Sequence, residues 1–417
     1  MSAHLTTNAA TSKAPGRPIA RESAFFLAIM FLGYLAFTAD RTVLSAVLKP
    51  ISTALGASSY YFFGIAGTAW LASAQFIGVL AFVLLSGHLS DRYGQRRVIL
   101  VGVAVFTAFT WLIGFSNSLA EAFVFRLVSG FGEGLFWPAA MSAVANYFGR
   151  SKGLALGIFY AGFDVGGASG NAIGSATFAL TSDWRTAFLF APLVGIPVLA
   201  GVFVSKRTFG AAASKTGSLS LGKEALGLVK ARKFSVILAF AFLATWASVW
   251  QVAYLPYYYA TSLGASIPTA GLIGAGVLVS GMVGKLLVGR ASDFIRRDRL
   301  LLLLSIAVVV IYGVFFSTSS FAVGVVTALA MGFFSSAIFP VMQALASDSS
   351  GGRTGGALGM TTTFQSLAAV VGTLLPGSLL SLGVGRALAV DAMIPAFLMM
   401  VAALFLGEPR RISFDES

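Results

Sequence analysis

The sequence contains no cysteine. Disulfide frameworks, thiol nucleophiles and cysteine-ligated metals are therefore excluded, although the absence names no compartment. Histidine is almost as scarce: His4 and His88 are the only two, and neither lies inside an apolar stretch. Any proton carried through the interior must then travel on a carboxylate. Charge as a whole is thin, with Asp, Glu, Lys and Arg at 10% of the residues, against about 25% in soluble domains. No metal-ligand cluster, nucleophile–base pair or nucleotide-binding loop is legible, so an enzyme, a metal and a cofactor all lack support. No sensory or signalling domain is legible either, which leaves a receptor without support.

Apolar residues fill the space that charge leaves. They make up 57% of the 417 residues. No water-soluble fold of this size could hide that much apolar surface, so lipid is its solvent. The 47 glycines fit the same reading, because glycine lets membrane helices approach closely. Apolar runs fall at 24–50, 60–86, 98–116, 119–147, 153–180, 185–204, 235–260, 267–289, 300–318, 320–345, 357–382 and 386–406. Each is near the roughly 20 residues that a membrane helix needs. The expected fold is all-α, with twelve transmembrane helices in two six-helix bundles.

The net charge of +13 invites a nucleic-acid partner. The distribution excludes one, because the basic residues lie in short segments between the apolar runs. With the N-terminus inside, 22 of the 28 Lys and Arg fall in cytoplasmic segments. Only Lys49, Arg185 and Arg386 fall at the other face. That asymmetry sets the orientation and returns the C-terminus to the cytoplasm. Residues 1–22 lack a signal-peptide core and cleavage site, so they read as a cytoplasmic tail. The bundles are expected at 23–204 and 235–407, with a basic linker at 205–234 and a second tail at 408–417. Within the linker, 221–233 could be an amphipathic helix on the anionic inner leaflet or a solvated connection. The protein is thus expected to be a multi-pass inner-membrane monomer surrounded by lipid.

The two halves repeat. Gly87-His88-Leu89-Ser90-Asp91-Arg92-Tyr93-Gly94-Gln95-Arg96-Arg97 follows the second run, and Gly289-Arg290-Ala291-Ser292-Asp293 opens a similar segment after the eighth. The Gly-to-Asp spacing is the same, and the offset is 202 residues. Parallel internal repeats are a transporter feature. Segment 87–97 resembles the signature of the major facilitator superfamily. That resemblance implies a cytoplasmic gate formed by Gly87, Asp91, Arg92, Gly94, Arg96 and Arg97, with Gly289 and Asp293 as its counterpart. In the family this cluster latches the outward-facing state.

Three further segments resemble the anion:cation symporter family, which includes sialin, vesicular glutamate transporters and bacterial sugar-acid permeases. They are Asp40-Arg41-Thr42-Val43-Leu44-Ser45, then Arg126 with Gly130-Phe131-Gly132-Glu133-Gly134-Leu135-Phe136-Trp137-Pro138, and Asp183-Trp184-Arg185-Thr186-Ala187-Phe188. The resemblance assigns proton coupling to Asp40 and Glu133 and substrate coupling to Arg126.

Six ionisable residues stand away from the ends of the predicted helices: Asp40, Arg41, Arg126, Glu133, Asp164 and Lys285. A charge at bilayer depth costs about 2.5 kcal/mol or more. Three acids against three bases point to mutual pairing. Arg126 and Glu133 lie two turns apart on one helix face, which predicts that they pair. Asp40 and Arg41 point about 100° apart and should serve different partners. Arg41, Arg126, Asp164 and Lys285 are candidate substrate residues, and pairing of Lys285 with Asp164 is the plainer alternative. The spacing of Lys285 before Asp293 resembles that of a substrate-binding arginine in oxalate/formate and monocarboxylate transporters. In the seventh run, Trp250, Gln251 and Tyr254 lie deep enough to face a cavity, and Gln365 is a weaker candidate. Tyr258 and Tyr259 read as interface anchors.

The function that follows is secondary active transport of a small organic anion with protons. A Spinster-like lipid or lysolipid carrier and an antiporter of carboxylates or drugs are the alternatives. Trp137-Pro138 and Lys285 favour the anion, and three intramembrane cations disfavour cationic drugs. The orientation is open to direct test. Reporters fused within 205–234 and at Ser417 should both read cytoplasmic, and a periplasmic signal from either would break the twelve-helix reading.

Overall fold

The computed structural model describes residues 21–57, 59–148, 152–205, 209, 231–292, 294–350 and 354–407. Most of the two tails and of the linker, including 221–230 of the candidate helix at 221–233, lie outside the described residues. The first six helical rods are α1 (Arg21–Ala54), α2 (Gly67–Tyr93), α3 (Gln95–Ile113), α4 (Leu119–Phe148), α5 (Lys152–Thr181) and α6, split into α6a (Arg185–Phe190) and α6b (Gly195–Val204). The next is α7, split into α7a (Arg232–Ala253) and α7b (Leu255–Ser262). The last five are α8 (Ile267–Ala291), α9 (Arg297–Ser317), α10 (Phe321–Asp348), α11 (Thr354–Ser378) and α12 (Val384–Ala403). Among the described residues, nine spans are long and apolar enough to cross a membrane by length and composition. The remaining rods are α2, α4 and α5, which carry Gln75, Arg126, Glu133 and Asp164.

Two boundaries differ from the sequence reading. The 60–86 run does not open as helix. Tyr61–Phe62 and Ile65–Ala66 form an antiparallel pair, and the chain reverses through Phe63 and Gly64, both at positive φ, as a tight hairpin turn requires. At its other end α2 does not stop near Gly87. It runs to Tyr93 and ends at Gly94, whose φ of 86° is open to glycine. The 87–97 segment is therefore two helix ends meeting at Gly94, not a loop.

Helices α1–α6 pack mainly on one another, as do α7–α12, and the two sets meet chiefly through α5 with α8, α2 with α11, and α1 with α7b. Close packing within the first set needs glycine. A Cβ on Gly130 would stand 2.2 Å from the Gln75 carbonyl oxygen, and one on Gly170 would stand 2.3 Å from that of Ala39. Backbones in van der Waals contact seat α2 against α4 and α1 against α5. That seating fixes the register of Asp40 and Gln75.

Contact between the sets is uneven along the membrane normal. At the end that the charge count assigns to the periplasm, Gly377 of α11 packs on Ala69 of α2, and Lys49 of α1 donates to the Ala260 carbonyl of α7b. Helices α5 and α8 run side by side in opposite directions. Gly271 meets Ser175, Gly274 meets Asn171, and Leu278 meets Gly167. Lys285 and Asp164 form the next rung at 2.7 Å. Beyond it the helices part: among the described residues nothing stands within 4 Å of a Cβ built on Gly157, and Gly289 has only Pro340 of its own set. The two helices therefore diverge toward the end assigned to the cytoplasm.

Carrying the α5–α8 register past the ion pair brings Gly157 opposite Gly289. The absence of native cysteine makes this testable without background. A Gly157→Cys/Gly289→Cys pair should cross-link under oxidation during turnover, and transport should stop until reductant is added. Uptake unaffected by oxidation would show that these two faces do not close on each other.

Candidate functional site

Four of the six predicted intramembrane charges meet at one centre in the first set of helices. Asp40 and Arg41 come from α1, Arg126 and Glu133 from α4, and all but Arg41 are buried. The pairing is crossed. Arg126 Nη1 lies 3.1 Å from Asp40 Oδ1, and Arg41 donates through Nε and Nη2, each at 2.9 Å, to Glu133 Oε2. The expected Arg126–Glu133 pair is therefore not formed. Its members do share a face of α4, but each is claimed by one of two adjacent residues on α1. The different directions of Asp40 and Arg41 are as the helix geometry predicts.

Gln75 of α2, which sequence reasoning missed, closes the centre. Its one amide nitrogen donates to Asp40 Oδ2 at 2.8 Å and to Glu133 Oε1 at 2.6 Å. Ser129 donates to Asp40 Oδ2 at 2.7 Å, and Arg126 also reaches the Asp40 main-chain carbonyl at 3.0 Å. Two acids and two bases leave the centre neutral, as a buried site requires. The signal for Gln75 was present in the sequence: an amide in the middle of an apolar run has to find a partner.

Exposure separates the two arginines. The Arg126 side chain is 2% exposed and Arg41 is 12% exposed. The Arg41 guanidinium lies between the rings of Phe37 and Phe76, 4.2 and 5.1 Å from their centroids. Of the two arginines, Arg41 is thus the partly accessible one. Lys285, with a side chain 25% exposed, pairs with Asp164 across the two sets of helices and lies 4.8 Å from the Phe163 ring centroid. This is the plainer of the two expectations for Lys285.

The structure does not bring the α7 candidates to that centre. Trp250 is fully buried against Tyr312, Phe315 and Phe316 of α9. Gln251 donates to Tyr312 and Ser335, and Tyr254 donates to the Thr373 carbonyl of α11. These side chains hold the second set of helices together around the break in α7. Tyr258 and Tyr259 are buried against α9 and α10 aromatics, not anchored at an interface. Gln365 of α11 accepts a long contact of 3.4 Å from Gln343 of α10. A seventh ionisable residue inside the helices escaped the sequence reading: Asp391 of α12, fully buried, accepting from Trp246 Nε1 at 2.8 Å.

A family model described as "Major Facilitator Superfamily" matches residues 30–254 and 236–416. The chain belongs to the major facilitator superfamily. Among its relatives in this superfamily, the 3-(3-hydroxy-phenyl)propionate transporter of Escherichia coli is 27% identical over 82% of this chain and 85% of that protein. The cephamycin export protein CmcT of Amycolatopsis lactamdurans is 33% identical, but over 38% of this chain and 32% of its own length. Two solved structures share the fold. One is a bacterial homologue of the human lysosomal transporter Spinster in an inward-facing, unoccupied conformation, with a TM-score of 0.72, 17% identity and coverage of 93% and 95%. The other is a D-xylose–proton symporter, with a TM-score of 0.71, 17% identity and coverage of 90% and 97%.

Within this superfamily fold, part of the 87–97 signature has a structural role in its own bundle. Arg96 donates to the carbonyls of Val202 and Phe203 at 3.1 and 2.6 Å, placing a cation on the last carbonyls of α6b, where the helix dipole favours it. Arg92 stacks on Tyr93. Nothing among the described residues stands within 4 Å of a Cβ built on Gly87. The side chain of Asp91 and all of Asp293 lie outside the described residues.

The crossed pairs predict an order of stability. Arg126→Ala strands the Asp40 carboxylate in the interior and should cost about 3–5 kcal/mol. Gln75→Leu removes one donor from two carboxylates and should cost about 1–3 kcal/mol. Adding Asp40→Asn to Arg126→Ala should recover part of the loss. Thermal unfolding of the purified variants checks the order, and an Arg126→Ala midpoint equal to wild type would contradict the buried pairing.

Proposed function

We infer that the protein is a proton-coupled symporter of a small organic carboxylate in the inner membrane, and that Glu133 gates the substrate's access to Arg41. One observation carries this reading: the partly open cation of the central site is held by a fully buried carboxylate. Protonating Glu133 removes the charge that holds Arg41 and frees the guanidinium for a carboxylate from outside. A proton adds one positive charge and the anion one negative charge, so the loaded centre is neutral like the empty one. It can then cross between open states without moving net charge into low dielectric. The superfamily relatives support a small-molecule substrate, and the E. coli relative's printed substrate is an aromatic propionate.

The structure corresponds to the inward-facing state in this scheme, with the α2–α11, α5–α8 and α1–α7b contacts sealing the periplasmic side. The open space beside Gly87 among the described residues agrees with it, as does the likeness to the inward-facing Spinster homologue. Substrate and proton leave to the cytoplasm, and Glu133 takes back Arg41. Asp40 is tied to Glu133 through Gln75. Lys285 is a second cation for the substrate, available once it leaves Asp164. The exporter relative favours one alternative, antiport, with the same residues run in the opposite sense; its partial coverage makes it the second reading.

Linkage requires affinity for the substrate to rise as pH falls through the titration of Glu133, because binding and protonation favour each other. Glu133→Gln mimics the protonated form. Proteoliposomes of that variant should exchange carboxylate across the membrane but not concentrate it under an imposed proton gradient. Arg41→Ala should lose binding, and Lys285→Ala should weaken it less. Accumulation by Glu133→Gln would remove Glu133 from the coupling.

A further inference from the structure

A second carboxyl group stands apart from the central site. Asp391 lies on α12, one helical turn beyond Leu388, and is fully buried. Its Oδ1 accepts from the Trp246 indole of α7a at 2.8 Å, and its Oδ2 has no partner among the described residues. No cation faces it from the described parts of the packed elements. The other titratable groups that feel its charge are Tyr254 at the α7 break and Tyr312 of α9. Arg386, the basic residue of α12, is exposed near the start of that helix. An ionised carboxylate with one neutral donor and no counter-ion is not sustainable at this depth, whereas the neutral acid is.

The route to water lies on the periplasmic side. A small crevice lined by Thr68 and Ala69 of α2, Tyr254 and Tyr257 of α7, Pro376 of α11 and Leu388 of α12 ends one turn from Asp391. It is sealed by the packing of Gly377 on Ala69, a contact between the two sets of helices. Separation of the bundles at this end breaks the seal and wets the wall in front of Asp391.

We propose that Asp391 is a proton-binding site reached from the periplasmic side, and that its protonation is required for the bundles to close at that end. The ligand is a proton from bulk water, which converts the carboxylate to the neutral acid that Trp246 holds. Because the closed state binds this proton more tightly than the open one, acidity shifts the population toward closure by linkage. The site is separate from Glu133 and belongs to the other bundle. It uses the sidedness assigned above but not the choice of substrate or the Glu133 mechanism.

The experiment measures the opening directly. Spin labels at Asn117→Cys and Ser319→Cys, both in exposed connections at the periplasmic end, report the distance between the two sets in a chain with no native cysteine. The Glu133→Gln background removes titration at the central glutamate. In that background, lowering the pH from about 8 to about 5 should shift the population toward the short distance. Adding Asp391→Asn, which keeps an acceptor for Trp246, should abolish the shift and hold the short distance at every pH. Asp391→Leu, neutral and of similar size, should do the same if the asparagine variant folds poorly. A pH-driven shift that survives either substitution would overturn the proposal. Failure of the Glu133 reading would appear only in the accumulation assay.

Discussion

Everything at the centre of this protein depends on how four charges avoid being alone in a low-dielectric interior. An isolated carboxylate or guanidinium there is prohibitively costly, and a well-bonded pair is about neutral in its effect on stability. The chain answers with two adjacent residues on α1 and two residues seven apart on α4, cross-linked so that each acid has one arginine. A single amide from α2 ties the two pairs into one unit. The arrangement requires α1, α2 and α4 to lie in close contact, which the glycine contacts permit. Glycine content and buried charge are thus two sides of one constraint.

That centre is assigned entirely to one bundle, and its link to the other is electrostatic as well as steric. Lys285 and Asp164 form the last rung of the α5–α8 contact before the helices diverge. An ion pair at the point of divergence keeps both charges satisfied in this state. The second bundle has a different interior, with aromatic rings from α7 and α9 stacked around the α7 break. Its one deep acid among the described residues, Asp391, is bonded to an indole and not to a cation. One half therefore holds balanced charge and the other a neutralisable acid. A carrier that must move without exposing charge to lipid can use both.

Much of this was legible before any coordinates. A tenth of the residues charged and more than half apolar leave a bilayer as the only solvent. The repeat of Gly and Asp at equal spacing marked the superfamily, which the family match shows. The sites were legible as residue types more than as partners. Asp40, Arg41, Arg126 and Glu133 stood out because a charge inside an apolar run is costly wherever it points. Gln75 and Asp391 did not stand out, the first because it is uncharged and the second because it lies only a few residues inside its helix. Trp250, Gln251 and Tyr254 were placed by depth alone, and depth does not distinguish the cavity side of a helix from the side facing its own bundle.

The amino-acid sequence by itself determined the solvent, the count of apolar runs, the orientation through its basic residues and the presence of balanced charge in the membrane. These follow from transfer free energies summed along the chain, which need no knowledge of neighbours. Tertiary structure decided which acid meets which base, because pairing depends on the rotation and depth of one helix against another. It also decided that the arginine on α1 is partly exposed and the one on α4 is not. Helix rotation is set by backbone contacts as tight as that of Gly130 on Gln75, and a change of one residue in that register turns a side chain by about 100°.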